Sequence, residues 1–199
     1  MLDPHWVFAG AVLGLIGSIR YATAVTRGSV RPNLVTWSLW ASAPLIAFFA
    51  QVDSEVGLPA VMTLAAGTGP LIVIVTSSIT RRHYARLGVI DLACAGIAIA
   101  ALAIWLGLDD APLAVVFAVA ADAIAALPTL IKAWRQPDSE NILFYVLVAV
   151  GATITLLTIS VWTLQAWAFA VYQLSICVVI VAVIAAKRTT WRSPPLGTK

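Results

Sequence analysis

The amino-acid sequence predicts an all-α membrane protein with seven transmembrane helices. Three observations carry that prediction. The 199 residues are 61% hydrophobic and only 11% charged, whereas a soluble domain holds about 25% charged residues. Several apolar runs reach the ~20 residues that a helix needs to cross a bilayer. Every Lys and Arg falls at alternate connections or after the last run, while Asp3, Asp53, Glu55, Asp109 and Asp110 fall at the opposite ends.

Taken in order, the spans are expected at 6–26, 33–52, 57–79, 87–108, 112–134, 141–163 and 166–187. The first lacks a basic start and a cleavage site, so it reads as a retained helix rather than a signal peptide. Arg20, Arg27 and Arg31 flank the first connection, and Arg81, Arg82 and Arg86 fill the third. Lys132 and Arg135 flank the fifth, and Lys187, Arg188, Arg192 and Lys199 follow the last span. The positive-inside rule then predicts a cell (cytoplasmic) membrane protein with its N-terminus outside and its C-terminus in the cytoplasm. An odd number of spans demands the same arrangement. The tail 189–199 is expected to be disordered.

The net charge of +3 follows from this topology and from contact with anionic headgroups, and gives no reason to propose nucleic acid as a partner. Trp6, Trp105, Trp134, Trp162, Trp167 and Trp191 lie near span ends, as an interfacial belt would place them, with Trp37 and Trp40 further in. Cys94 and Cys177 lie within spans and are expected to be free thiols.

Sliding the chain so that Arg27 lies over Arg135 also brings Asn33 onto Asn141 and Trp37 onto Tyr145. Gly10, Gly14, Gly17 and Ser18 then lie over Ala118, Asp122, Ala125 and Ala126. With equal span lengths, these matches point to a duplicated three-span unit. A second copy of three spans would insert upside down unless one extra span restored its direction, and span 4 does so. The expected plan is 3+1+3: a first three-helix bundle at 1–80, an inversion-linker helix at 81–110 and a second, parallel bundle at 111–188. Such repeats are common in secondary transporters, with the substrate near the midplane between them.

The plan resembles the SWEET and PQ-loop membrane proteins, in which a linker helix joins two parallel three-helix bundles. The stretch "LPTLIKAWRQPDSENILFYVL" (127–147) is similar to their second signature: a proline late in a span, a basic loop, then a polar start to the next helix. Pro128 matches the family proline, whereas Thr129 stands where a glutamine is usual, and Arg20–Tyr21 in the first repeat match neither. The first loop, "RGSVRPNLVTWSLW", resembles that of bacterial members without an assigned function. The resemblance implies transport of a small solute. In its sugar-transporting members, asparagines on the third helix of each bundle line the central site. Here Gln173 and, less well, Thr68 are the nearest substitutes.

Asp122 is the sharpest signal from the residues themselves. Counting from Asp109 and Asp110 to Lys132 and Arg135 puts it near mid-membrane, where a charge costs from ~2.5 to more than ~10 kcal/mol. Such a group faces an interior and has a partner. Its helical neighbours Ala118, Ala125, Ala126 and Thr129 form a narrow face that suits a cavity lining or close helix approach. Either it is a protonatable or substrate-orienting group, or it fastens helices. Asp91 lies in the first turn of span 4 near Arg86, where it complements the helix dipole.

Tyr172, Gln173 and Ser175 bring polar groups into the middle of span 7, and Gly67, Thr68, Gly69 and Pro70 are expected to interrupt span 3. Irregular backbone at that depth requires protein or a wet cavity beside it. Gln173 could equally bond between helices, and Pro70 could simply kink. Trp37 and Trp40, three residues apart with Pro44 a turn beyond, could form an apolar wall, a gate or a stacking surface, or could only pack. Asn33 and Asn141 are expected to cap spans 2 and 6. Pro128 removes one helix hydrogen bond, which permits a kink and a swinging half-helix.

Span 7 has only Lys187, at its end, so no deep Schiff-base lysine for retinal is present, and neither His5 nor His83 lies within a span to ligate a haem. No Cys/His cluster has metal-ligand spacing, and no catalytic constellation is visible, so neither a cofactor nor an enzyme is expected. The expected function is alternating-access transport of a small polar solute (sugar-, amino-acid- or metabolite-like), with coupling to protons through Asp122 as one version. Polar contacts would come from Gln173, Tyr172 and Thr68, apolar ones from Trp40 and Trp37, and flexibility from Pro128, Pro70 and Pro44. The alternative is a membrane receptor or assembly partner that does not transport, with "TRRHYAR" (80–86) as its contact surface. The glycine ladder serves packing within the chain or a homo-oligomer equally well.

Overall fold

A computed structural model describes residues 2–32, 34–83, 88–108, 110–137 and 141–192. Among these, hydropathy is realised as seven α-helices: α1 Trp6–Thr26, α2 Leu34–Asp53, α3 Ala60–Ile79, α4 Val89–Leu108, α5 Ala111–Arg135, α6 Ile142–Thr158 and α7 Leu164–Arg192. Five of them, α1, α2, α3, α5 and α7, are long and apolar enough to cross a membrane. Helix α6, at 17 residues, is apolar but shorter.

Most boundaries fall within two residues of expectation, and the exceptions have local causes. Helix α3 starts at Ala60 rather than 57 because Gly57 adopts φ of 77°, a left-handed turn that glycine accepts without a Cβ penalty. Pro59 follows and immediately precedes the first helical residue. Helix α6 stops at Thr158, not 163. Ile159 turns to extended backbone (φ −67°, ψ 119°) and is fully buried. The carbonyl of Leu157, left open by the helix end, accepts instead from the Leu2 N–H at 3.0 Å. Helix α7 runs on through Arg192, so the tail expected from residue 189 is helical as far as that residue, and 193–199 lie outside the described residues.

The stretch Gly67–Pro70 does not interrupt α3, which is continuous. Its glycines serve packing: a Cβ on Gly67 would come within 2.8 Å of Leu45, and one on Gly69 would strike Ser18 of α1. Small residues set the other crossings too. Gly10 of α1 and Gly151 of α6 meet so closely that a Cβ on Gly10 would lie 2.7 Å from the Gly151 carbonyl oxygen, and one on Gly151 2.5 Å from that of Gly10. Ala47, Ala50, Ala114, Ala118 and Ala152 are all fully buried around this region. Lipid tails are as apolar as leucine, so close van der Waals contact of this kind drives helix association in a membrane.

Helix α3 packs on both α1 and α2, and α7 packs on both α5 and α6. Among the described residues the backbones of α1 and α2 do not approach closely, nor do those of α5 and α6, and α1 and α2 meet through side chains such as Tyr21 and Trp37. The large contacts between the two groups are α1 on α6 and α2 on α5, while α4 lies against α5 and, less extensively, α2.

Basic side chains tie the helix ends together. The Arg82 guanidinium donates to the carbonyls of Val25 and Thr26 at the C-terminus of α1. Arg188 of α7 donates to the Pro137 carbonyl at 3.1 Å, and the Lys187 ammonium lies 3.5 Å from the centre of the Trp134 ring. Orphan carbonyls at helix C-termini favour such cations. Asn141 caps α6, its side chain accepting from the Leu143 N–H at 3.1 Å. Asp110 does the same for α5 through Leu113. Asn33 and the side chains of Asp91 and Cys94 lie outside the described residues.

Candidate functional site

Helix α5 presents a face of very small residues. Ala118, Ala121, Ala125 and Ala126 are buried, and Asp122 sits among them with only 7% of its surface exposed. An acid in that position needs a donor, and Tyr172 of α7 supplies it: its hydroxyl donates to Asp122 Oδ2 at 2.6 Å. The Tyr172 ring is held edge-on against Phe169, with 5.9 Å between ring centres. Two residues singled out separately in the sequence are therefore one unit.

Asp122 and Tyr172 face a cavity of about 80 Å³ enclosed by six helices. Gly10, Gly14 and Ser18 line it from α1, Trp40 and Pro44 from α2, and Met62 and Pro70 from α3. Asp122 lines it from α5, Tyr145 and Gly151 from α6, and Tyr172, Gln173 and Cys177 from α7. Its volume is enough for several water molecules. Gly14, aligned with Asp122 in the repeat expected from the sequence, lines the same space, and a Cβ placed on it would meet nothing within 4 Å. Helix α1 thus contributes a bare backbone to this space and α5 a carboxyl.

Two further polar atoms on this lining are buried without a hydrogen-bond partner from the protein: the donor Trp40 Nε1 and the acceptor Gln173 Oε1. Leaving such groups unpaired costs on the order of 1–3 kcal/mol each. The lining is mostly apolar, with a carboxyl fixed by a phenol and with Trp40 and Gln173 beside it.

A second cavity of about 160 Å³ lies beside it. Arg31 lines it from just before α2, Thr36 and Trp37 from the start of α2, Pro128, Thr129 and Lys132 from the end of α5, and Tyr21 from α1. Trp40 and Tyr145 line both cavities and so stand between them. Trp37 is buried, packed against Tyr21 at 4.6 Å and edge-on to Trp40 at 5.5 Å between ring centres.

The structure thus gathers Asp122, Tyr172, Gln173, Trp40, Pro44 and Pro70 around the central cavity, and Trp37 and Pro128 around the neighbouring one. It does not bring Thr68 to either. The Thr68 hydroxyl bonds back to the Leu64 carbonyl of its own helix at 2.7 Å, because the helical phase that turns Gly67 and Gly69 inward turns Thr68 aside. The Ser175 hydroxyl likewise bonds to the Val171 carbonyl. Of the loop 80–86, residues 84–86 lie outside the described residues.

Three lining residues had no signal of their own in the sequence. Tyr145 stood out only as the repeat partner of Trp37, Ser18 as a step in the small-residue ladder, and Cys177 as a thiol within a span. Gln51, 1% exposed, was also missed: its Nε2 donates to the Gln165 carbonyl at 2.6 Å and ties the end of α2 to the start of α7.

No protein-family model, curated protein or solved structure matches this chain.

Proposed function

We propose that the chain is a membrane transporter of a small polar solute, working by alternating access between two parallel three-helix bundles, α1–α3 and α5–α7, joined by α4. The packing supports this reading. Exchanging α1 with α5, α2 with α6 and α3 with α7 turns the α1–α6 contact into the α2–α5 contact, and leaves each third helix between its two partners. This is the arrangement that the resemblance to SWEET and PQ-loop proteins implies. The basic helix ends then face the cytoplasm, and the N-terminus lies outside a cell membrane.

The observation that carries the proposal is the central cavity. It lies between the halves, holds the buried Asp122 carboxyl, and is bordered by Trp40 and Gln173, each with a buried polar atom that has no partner in the protein. Rocking of the halves about the small-residue crossing of Gly10 and Gly151 would expose it to either side. Asp122 would orient the solute through its free oxygen, with coupling to protons as the stronger version of this role, while Tyr172 holds the carboxyl still. The receptor reading predicts no such lining.

The experiment is uptake into proteoliposomes of labelled sorbitol, glucose, glycine and betaine, compared with empty vesicles. Uptake of at least one solute by the wild type and its loss in Asp122→Asn is expected. Equal rates for wild type and Asp122→Asn at every pH tested would remove Asp122 from the mechanism.

A further inference from the structure

The transport reading gives no role to the basic side chains of the second cavity, whose chemistry differs from that of the central one. Arg31, just before α2, and Lys132, in the last turn of α5, both line it, and they come together only through the fold. Tyr21, Thr36 and Thr129 add hydroxyl-bearing side chains, and the buried Trp37 forms an aromatic wall. Among the described residues no carboxylate lines it.

The topology of a membrane protein explains why basic residues collect at one end, but not why two of them share one concave site. A guanidinium, an ammonium and nearby hydroxyls suit a phosphate group, which offers several acceptor oxygens and full negative charge. Basic pockets between membrane helices at headgroup level are known to take anionic headgroups.

We propose that this cavity is a binding site for a phosphate-bearing group held by Arg31 and Lys132. The phosphate belongs either to an anionic lipid headgroup or to a soluble phosphorylated molecule. The site does not depend on transport through the central cavity, and its test reads binding alone.

The full-length chain in neutral detergent is melted in the presence of inorganic phosphate or of short-chain phosphatidylglycerol. Sodium chloride of equal ionic strength and short-chain phosphatidylcholine are the controls. A ligand that binds only the folded protein raises Tm with its concentration. Stabilisation by phosphate assigns the site to a soluble ligand, and stabilisation by phosphatidylglycerol alone assigns it to a headgroup. In either case Arg31→Gln and Lys132→Gln should each weaken apparent affinity about fivefold, whereas Arg81→Gln, in the neighbouring connection, should leave it unchanged. The ³¹P resonance of the bound probe should also broaden on addition of wild-type protein, a readout that needs no variant to fold. An equal loss in Arg81→Gln means general charge attraction and overturns the proposal. So does the absence of both a Tm shift and broadening with either probe.

Discussion

The Tyr172 hydroxyl lies 2.6 Å from Asp122 Oδ2, joining α7 to α5 inside the membrane-spanning bundle. Hydrogen bonds between membrane helices contribute on average about 0.6 kcal/mol and at most about 1.7 kcal/mol in double-mutant cycles. Tyr172→Phe and Asp122→Ala should therefore show a coupling energy in that range when thermal unfolding of both single variants and the double variant is compared. Strict additivity would show that the pair does not act as a unit. In transport, Tyr172→Phe should impair uptake less than Asp122→Asn, because only the latter removes the carboxylate.

Gly10 and Gly151 allow α1 and α6 to meet backbone to backbone. Gly10→Ala and Gly151→Ala each push a methyl into the opposing carbonyl, with no flexible side chain to give way, and should destabilise by about 1–3 kcal/mol. Gly14 is the control on the same helix, since its Cβ would enter open space. Gly14→Ala should melt with the wild type, and Gly14→Leu should stay folded while filling the cavity and blocking uptake. Melting temperature and uptake, measured together, separate the two effects.

Hydropathy revealed where the helices lie because a membrane span is a property of composition over ~20 residues. It could not locate the end of α6, because Ile159 and Val161 are as apolar as the helix before them. That boundary depends on a distant hydrogen bond from Leu2. Asp122 was legible because a lone acid among alanines is costly wherever it points. Its bond to Tyr172 was not, since it depends on how α5 and α7 face each other. Thr68 shows the same limit in reverse: its polarity was visible, but its helical phase decided that the hydroxyl would stay on its own helix. Gln51 offered only one amide near a span end, and its role appears once α7 begins beside it.

Asp3 accepts hydrogen bonds on Oδ1 from the His5 backbone N–H at 2.9 Å and from the His5 ring nitrogen at 2.8 Å. The backbone bond is the larger cause, the ring bond and charge adding to it, of an Asp3 carboxyl held below the ordinary aspartate value of 3.8. A depressed folded-state pKa stabilises above the unfolded value, and that contribution is lost as pH falls through the folded one. Ordering of the segment before α1 should therefore be complete above about pH 4 and fade only in stronger acid. An NMR titration of Asp3 should give a midpoint below 3.8, rising toward that value in a variant with Gly at position 5. Coincident midpoints would mean that the His5 ring adds nothing and that the backbone N–H alone holds the carboxyl.

Trp40 and Tyr145 are the only side chains described that line both cavities, so a path from the basic end to Asp122 passes between them. The buried thiol of Cys177 lies on the central side of that partition and reports on access. In a Cys94→Ser background, a small charged thiol reagent should modify Cys177 slowly while Trp40 is present. Trp40→Ala removes the larger ring and should raise the rate severalfold. Trp40→Phe keeps an aromatic wall while removing the five-membered ring with its unpartnered Nε1, so the rate should rise less than in Trp40→Ala. If Trp40→Ala leaves modification as slow as in the wild type, the two cavities are separated by something other than this indole. If Trp40→Phe accelerates it as much as Trp40→Ala does, the barrier needs the full width of the indole, and a six-membered ring is too small to close it.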